Sequence, residues 1–158
     1  TAMRDDQLTI TRRDRIGFIF QAFNLIPTLT AKDNIVLPLK MAKRTADPDW
    51  FDHVVAMLGL QDRLTHKPAE LSGGQQQRVA VARALITQPD IIFADEPTGA
   101  LDQATSASLI RFLRRLTDEL NQTLVMVTHD AAVAKWADRI VELRDGSIAR
   151  DIVARPVN

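Results

Sequence analysis

The sequence predicts an α/β fold built on a parallel sheet with a helical stretch set into it, and three observations carry that expectation. Two short apolar runs, Ile91-Ile92-Phe93-Ala94 and Leu124-Val125-Met126-Val127, read as buried strands. A third run, Ile16-Gly17-Phe18-Ile19-Phe20, has the same character. Between them lie segments with helical spacing of apolar residues, and strands alternating with helices argue for a parallel sheet.

Taken in order, residues 1–6 (Thr1-Ala2-Met3-Arg4-Asp5-Asp6) have no apolar core and do not read as a signal peptide. The polar Thr11-Arg12-Arg13-Asp14-Arg15 leads into the first strand, which ends at Gln21. Thr30, with Asp33 three residues on, marks the start of a helix to about residue 41, which Pro38 should bend or shorten. Asp47-Pro48 is an N-cap with proline at the first helical position. Phe51, Val54, Val55 and Leu58 give that helix an apolar stripe, and Gly59 ends it. Ser72-Gly73-Gly74 opens an alanine-rich helix, so 25–86 reads as helical.

After Gln88-Pro89 the period changes to a strand that ends on two acids, Asp95-Glu96. A helix over about 103–120 follows, with Leu109, Ile110, Leu113 and Leu116 on one face. The strand over 124–127 ends at Thr128-His129-Asp130, and a short helix reaches about Trp136. Asp145-Gly146 then signals a hairpin between 140–143 and 147–149. The expected organisation is one domain, with 1–24 and 87–158 as its α/β part and 25–86 as a helical subdomain.

Composition excludes several classes of function. With 158 residues and 46% apolar content the chain can bury a real core, and its longest apolar run is too short to span a bilayer. Twenty basic side chains balance twenty acidic ones, so no global field recruits nucleic acid or anionic lipid. The absence of cysteine excludes disulfides and thiol chemistry and fits a cytoplasmic setting.

The segment Leu71-Ser72-Gly73-Gly74-Gln75 is the most informative in the chain. A helix start leaves about four backbone N–H groups unpartnered, carries partial positive charge and accepts anions. Glycine lets a phosphate approach closely; the bland alternative is an ordinary turn. Asp95 and Glu96 sit side by side at a strand end, where ligands gather in sheets of this class. One could hold Mg²⁺ through water and the other orient an attacking water, or they could form a helix cap with a solvated neighbour. Gln21 and His129 occupy two further strand ends. Either could be an ordinary loop residue; Asp102 could be a plain N-cap; His53 and His66 read as structural. The histidines and carboxylates lack structural-zinc spacing.

The order of these residues is more specific than any one of them. Gln21 matches a Q-loop, residues 71–75 the LSGGQ signature, residues 91–96 a Walker B strand, Gly99-Ala100-Leu101-Asp102 a D-loop and His129 an H-loop. On these motifs the chain resembles the ATP-binding subunit of an ATP-binding-cassette (ABC) transporter over nearly its whole length. The stretch 16–27 resembles the lipoprotein-release and macrolide-export branch.

The resemblance implies a P-loop NTPase-type parallel sheet with a helical subdomain, and two such domains sandwiching ATP head to tail. Ser72, Gly73 and Gly74 would face the γ-phosphate of a partner's nucleotide, flanked by Leu71 and Gln75. Glu96 would polarise the hydrolytic water, Asp95 and Gln21 would serve Mg²⁺, and His129 would steady the transferring group. Asp102 would link the two sites. A membrane permease would dock near 22–41, placing the domain at the cytoplasmic face of a membrane.

The sequence also departs from that family. It contains no G-x-x-x-x-G-K-[ST], and only twenty residues precede Gln21. The expectation is therefore an incomplete domain, the C-terminal two-thirds, inactive alone and a weak binder of ATP. The missing P-loop strand would lie between the strands at 124–127 and 140–143. Three outcomes are expected: closure of the gap, a displaced C-terminal hairpin, or pairing with another chain, self-association foremost. The alternatives are a non-catalytic interaction module and the ABC-like head of a DNA-repair or chromosome protein. Against the latter, no heptad array is present.

Overall fold

The computed structural model describes residues 5–154. Its first helix, α1 (Asp5–Arg15), is mostly polar and hands directly to strand β1 (Ile16–Phe20). This helix is not anticipated by apolar spacing, because Leu8 and Ile10 are its only large apolar residues and lie two apart. A basic last turn, Arg12, Arg13 and Arg15, complements the negative end of its dipole. Arg15 pairs with Asp90, which ties the start of β1 to the approach to the next strand.

Residues 25–86 contain no strand. Helix α2 (Ala31–Met41) begins at Thr30, whose hydroxyl accepts from the Asp33 N–H at 3.1 Å. It continues past Pro38 to Met41, so the proline does not shorten it. Asn34, fully buried, donates to the carbonyls of Ile26, Leu29 and Thr30 and accepts from Ile26 N–H at 2.7 Å, which fastens the incoming loop. Helix α3 (Pro48–Leu58) is capped by Asp47 and stopped by Gly59 at φ 63°, as the sequence foretells. Helix α4 (Gly73–Leu85) is the most buried, with Gln77, residues 79–82, Ala84 and Leu85 inside.

Strands β1, β2 (Ile91–Asp95) and β3 (Thr123–Val127) form a parallel sheet in that order. Helix α5 (Gln103–Glu119) joins β2 to β3 and buries Leu109, Ile110, Leu113 and Leu116. One face of the sheet is covered: Ile19 and Ile92 are inaccessible and Ala94 nearly so. Gly17 meets α4 so closely that a Cβ there would stand 2.7 Å from the Ala84 carbonyl. The other face is bare, with Phe18 41% and Val127 60% exposed and the Phe18 ring stacked between Phe20 and Phe93 at 5.9 and 6.0 Å.

After the short helix α6 (Ala131–Ala134), strands β4 (Arg139–Arg144) and β5 (Ser147–Val153) pair antiparallel as a separate two-stranded sheet. Of the three outcomes expected for the C-terminal hairpin, the gap is thus not closed. Among the described residues β3 keeps one unpaired edge, and the hairpin forms its own sheet. His53 stacks on Trp50 at 5.6 Å, and the His66 carbonyl accepts from Ala31 N–H.

Candidate functional site

The parallel register builds one end of the site. Phe20 lies opposite Asp95 and Asp95 opposite Val127, so the three strands end level. Glu96 extends the ladder by one bond, its N–H reaching the Val127 carbonyl at 2.9 Å, and then turns through φ 44°. That left-handed residue brings its carboxylate round to the residues following β3. Thr128 Oγ1 donates to Glu96 Oε2 at 3.2 Å, and the His129 N–H donates to Oε1 at 2.9 Å. The His129 ring Nδ1 lies 2.7 Å from the same oxygen.

These contacts set the charges. Burial opposes ionisation of Glu96, yet the hydrogen bonds from the His129 ring and backbone outweigh it and hold the carboxyl below its usual range. The hydrogen bond and the negative charge of Glu96 raise His129 above the ordinary histidine value. The carboxylate of Asp95, at the end of β2, makes no hydrogen bond or ion pair among the described residues. The Gln21 amide packs against the loop beyond Glu96: a Cβ on Gly99 would fall 2.6 Å from Gln21 Nε2.

The second part of the site is the first turn of α4. Ser72 caps it, accepting from the Gln75 N–H at 3.3 Å, while the Gln75 carboxamide oxygen accepts from the Ser72 N–H at 2.9 Å. Leu71 is buried beneath. A Cβ on Gly74 would stand 2.7 Å from Thr105 Cγ2, and one on Gly73 would stand 3.7 Å from Leu101. The turn therefore packs on the loop from β2 and on the start of α5. Asp102 caps α5, accepting from the N–H groups of Ala104 and Thr105 and from the Thr105 hydroxyl at 2.6 Å. Those donors, the hydroxyl foremost, hold Asp102 below its usual range.

Two groups escaped the sequence reading. Gln77 is inaccessible and donates its Nε2 to the Pro97 carbonyl at 2.6 Å, while its Oε1 is buried without a partner. It joins the helix behind Ser72 to the residue after Glu96. Its signal was a glutamine four residues before Val81, on the buried stripe of α4. Arg83 donates to the carbonyls of Asn24 (2.6 Å) and Phe23 (2.8 Å), both left-handed residues just beyond Gln21. No local pattern marks it.

Thus Gln21, Asp95, Glu96 and His129 gather at the ends of the parallel strands. Ser72, Gly73 and Gly74 form a separate cluster, touching Leu101 and Thr105. No hydrogen bond joins Ser72 to Glu96 or His129 among the described residues. A family model described as ABC transporter matches residues 2–99 of this chain. The chain belongs to the ABC transporter family. It is 50% identical over 153 residues to an uncharacterized ABC transporter ATP-binding protein, MJ0796 of Methanocaldococcus jannaschii, covering 93% of this chain and 65% of that protein. It is 47% identical to the macrolide export ATP-binding/permease protein MacB of Neisseria gonorrhoeae, over 98% of this chain and 24% of MacB. A solved dimeric, post-hydrolysis state of the MJ0796 cassette, bound to ADP and Pi, superposes with a TM-score of 0.82 at 46% identity, over 99% of this chain and 70% of the other.

The α/β fold of this ABC family member is thus similar to that of a solved cassette over 70% of that cassette's length. The expected macrolide-export likeness has a counterpart in MacB. The DNA-repair or chromosome head finds no support among these relatives. Among the described residues no helix is long and apolar enough to cross a membrane.

Proposed function

We propose that this ABC ATP-binding chain serves ATP hydrolysis coupled to transport. It would work as one half of a head-to-tail pair, with a membrane permease as partner at the cytoplasmic face. The observation that carries the reading is the Glu96–His129 contact at level strand ends, in a chain that also presents a capped, glycine-rich helix start.

The residues fit Mg²⁺ and ATP as shared ligands. No group of three or more His, Cys, Asp or Glu that could hold a metal occurs among the described residues. Magnesium in such sites keeps several waters and takes one or two carboxylates plus substrate phosphates. Asp95, with its uncommitted carboxylate, and Gln21 are the residues proposed to hold it through water. Bound Mg-ATP would supply the phosphoryl group and neutralise its charge. Glu96 is proposed to orient the attacking water. His129, held by Glu96, would donate to the transferring group. The backbone of Ser72, Gly73 and Gly74, with Leu71 and Gln75 fixing the turn, would meet a partner's γ-phosphate, and Asp102 would connect the paired sites.

The test is complementation. The chain is mixed with a complete cassette that keeps its phosphate-binding loop but carries an inactivated signature serine. Hydrolysis should rise, and Ser72→Arg in this chain should remove the gain. No gain under conditions where the two associate would overturn the reading.

A further inference from the structure

Where the end of α3, the flank of α4 and the middle of α5 meet, a cavity of about 370 Å³ opens away from Glu96 and His129. Its apolar wall is Met57, Leu58 and Phe112. Its polar wall is Ser108 and three arginines, Arg78, Arg111 and Arg115, with no carboxylate among the lining residues. Three guanidiniums in one cleft are a local excess in a chain whose formal charge is zero.

The donors there are underused. Arg78 Nη1 donates to the Leu58 carbonyl at 3.2 Å. Arg115 Nε meets Glu119 at 3.2 Å in an exposed pair, a class of contact contributing only about 0–1 kcal/mol. The Arg111 guanidinium makes no hydrogen bond or ion pair among the described residues. Each guanidinium has five N–H donors and no acceptor. Ser108, Arg111, Phe112 and Arg115 recur at helical spacing on one face of α5, so a serine hydroxyl, an aromatic ring and two cations are presented together. Arginine's planar fork suits tetrahedral oxyanions, and three positive charges call for more than one negative charge.

We propose that this cleft binds an oligophosphate anion, with Arg78, Arg111 and Arg115 as its cationic wall. The site is distinct from the start of α4, since Arg78 lies roughly 9 Å along the helix from Ser72. Arg78 also lines a neighbouring cavity with Ser72, Gly74 and Gln75, so an occupied cleft would hold the helix that presents them.

The whole chain is titrated with sodium tripolyphosphate by calorimetry in low salt without magnesium. Single-site binding is expected, weakened about tenfold or more by Arg111→Gln, in line with loss of a charged hydrogen bond. Arg111→Gln with Arg115→Gln should abolish it, and Ser72→Ala should leave it unchanged. Both arginines are exposed, and circular dichroism checks that the variants remain folded. ATP run in parallel separates the sources: tighter binding than tripolyphosphate indicates a nucleotide using the Phe112 wall, and equal binding a free oligophosphate. Either result supports the cleft. No heat at millimolar ligand, binding unaffected by the double variant, loss with Ser72→Ala, or equal affinity for inorganic monophosphate would each overturn it.

Discussion

Glu96 Oε1 accepts the His129 N–H at 2.9 Å and faces the ring Nδ1 of the same residue at 2.7 Å. The ring itself is 87% exposed, whereas the Glu96 side chain is only 20% exposed. A solvated imidazole is therefore anchored at one nitrogen, while its other nitrogen makes no hydrogen bond among the described residues.

That pair should titrate visibly. His129 is raised, so its contribution to stability is complete below the ordinary histidine value of about 6.5 and fades as pH climbs through its folded value. Glu96 is lowered, so its contribution holds above the ordinary glutamate value and fades as pH falls through its folded one. The contact is strongest between those limits. NMR titration should give His129 a midpoint above that of an unpaired histidine, and Glu96→Gln should lower it; an unmoved midpoint refutes the contact.

Gly74→Ala should destabilise the start of α4. The new methyl would stand 2.7 Å from Thr105 Cγ2, and Thr105 cannot rotate freely without releasing Asp102. A cost of about 1–3 kcal/mol is expected from urea unfolding. Thr105→Ser, which deletes that methyl and keeps the hydroxyl, should recover part of it. Additive losses in the double variant would show that the crowding lies elsewhere.

Gln77→Ala should cost about 2–4 kcal/mol, combining a cavity with an orphaned Pro97 carbonyl. Gln77→Leu fills the space without restoring the bond and should fall between parent and alanine. Equal stability of all three in chemical denaturation would remove any role for the bond.

Without a G-x-x-x-x-G-K-[ST] segment in its 158 residues, the chain should show no phosphate release from Mg-ATP. Steady turnover would contradict this.

Self-association should be concentration-dependent. The bare sheet face and the unpaired edge of β3 invite pairing, and sedimentation velocity should show larger species as concentration rises. Val125→Lys with Val127→Lys should return the chain toward monomer. A parent chain monomeric at all concentrations would defeat the idea.

Local chemistry was legible in the sequence, and long-range contact was not. The caps Thr30, Asp47, Ser72 and Asp102 are each settled within three residues, and all four act as their side chains suggest. The apolar runs gave three strands, although β3 is half exposed because one side of the sheet is uncovered. The helix Asp5–Arg15 carries no apolar stripe that would mark it in the sequence. The end of α2 at Met41 was also legible, and Pro38 lies within the helix without shortening it. Glu96 and His129 were both singled out, but their contact depends on the register of β2 against β3, which no spacing encodes. Gln77 and Arg83 were missed for the same reason: their partners lie twenty and about sixty residues away in sequence.

Arg83 has a consequence of its own. Phe23 touches α4 at two heights: its ring lies 3.9 Å from where a Cβ on Gly73 would be, and its carbonyl is held by Arg83. The backbones of Gly73 and Arg83 are roughly 15 Å apart along the helix axis, and the long Arg83 side chain bridges much of that span to reach Phe23. The segment after Gln21 is thereby fastened to α4 through a ring and two backbone carbonyls, so displacing either one strains the contacts that hold the other.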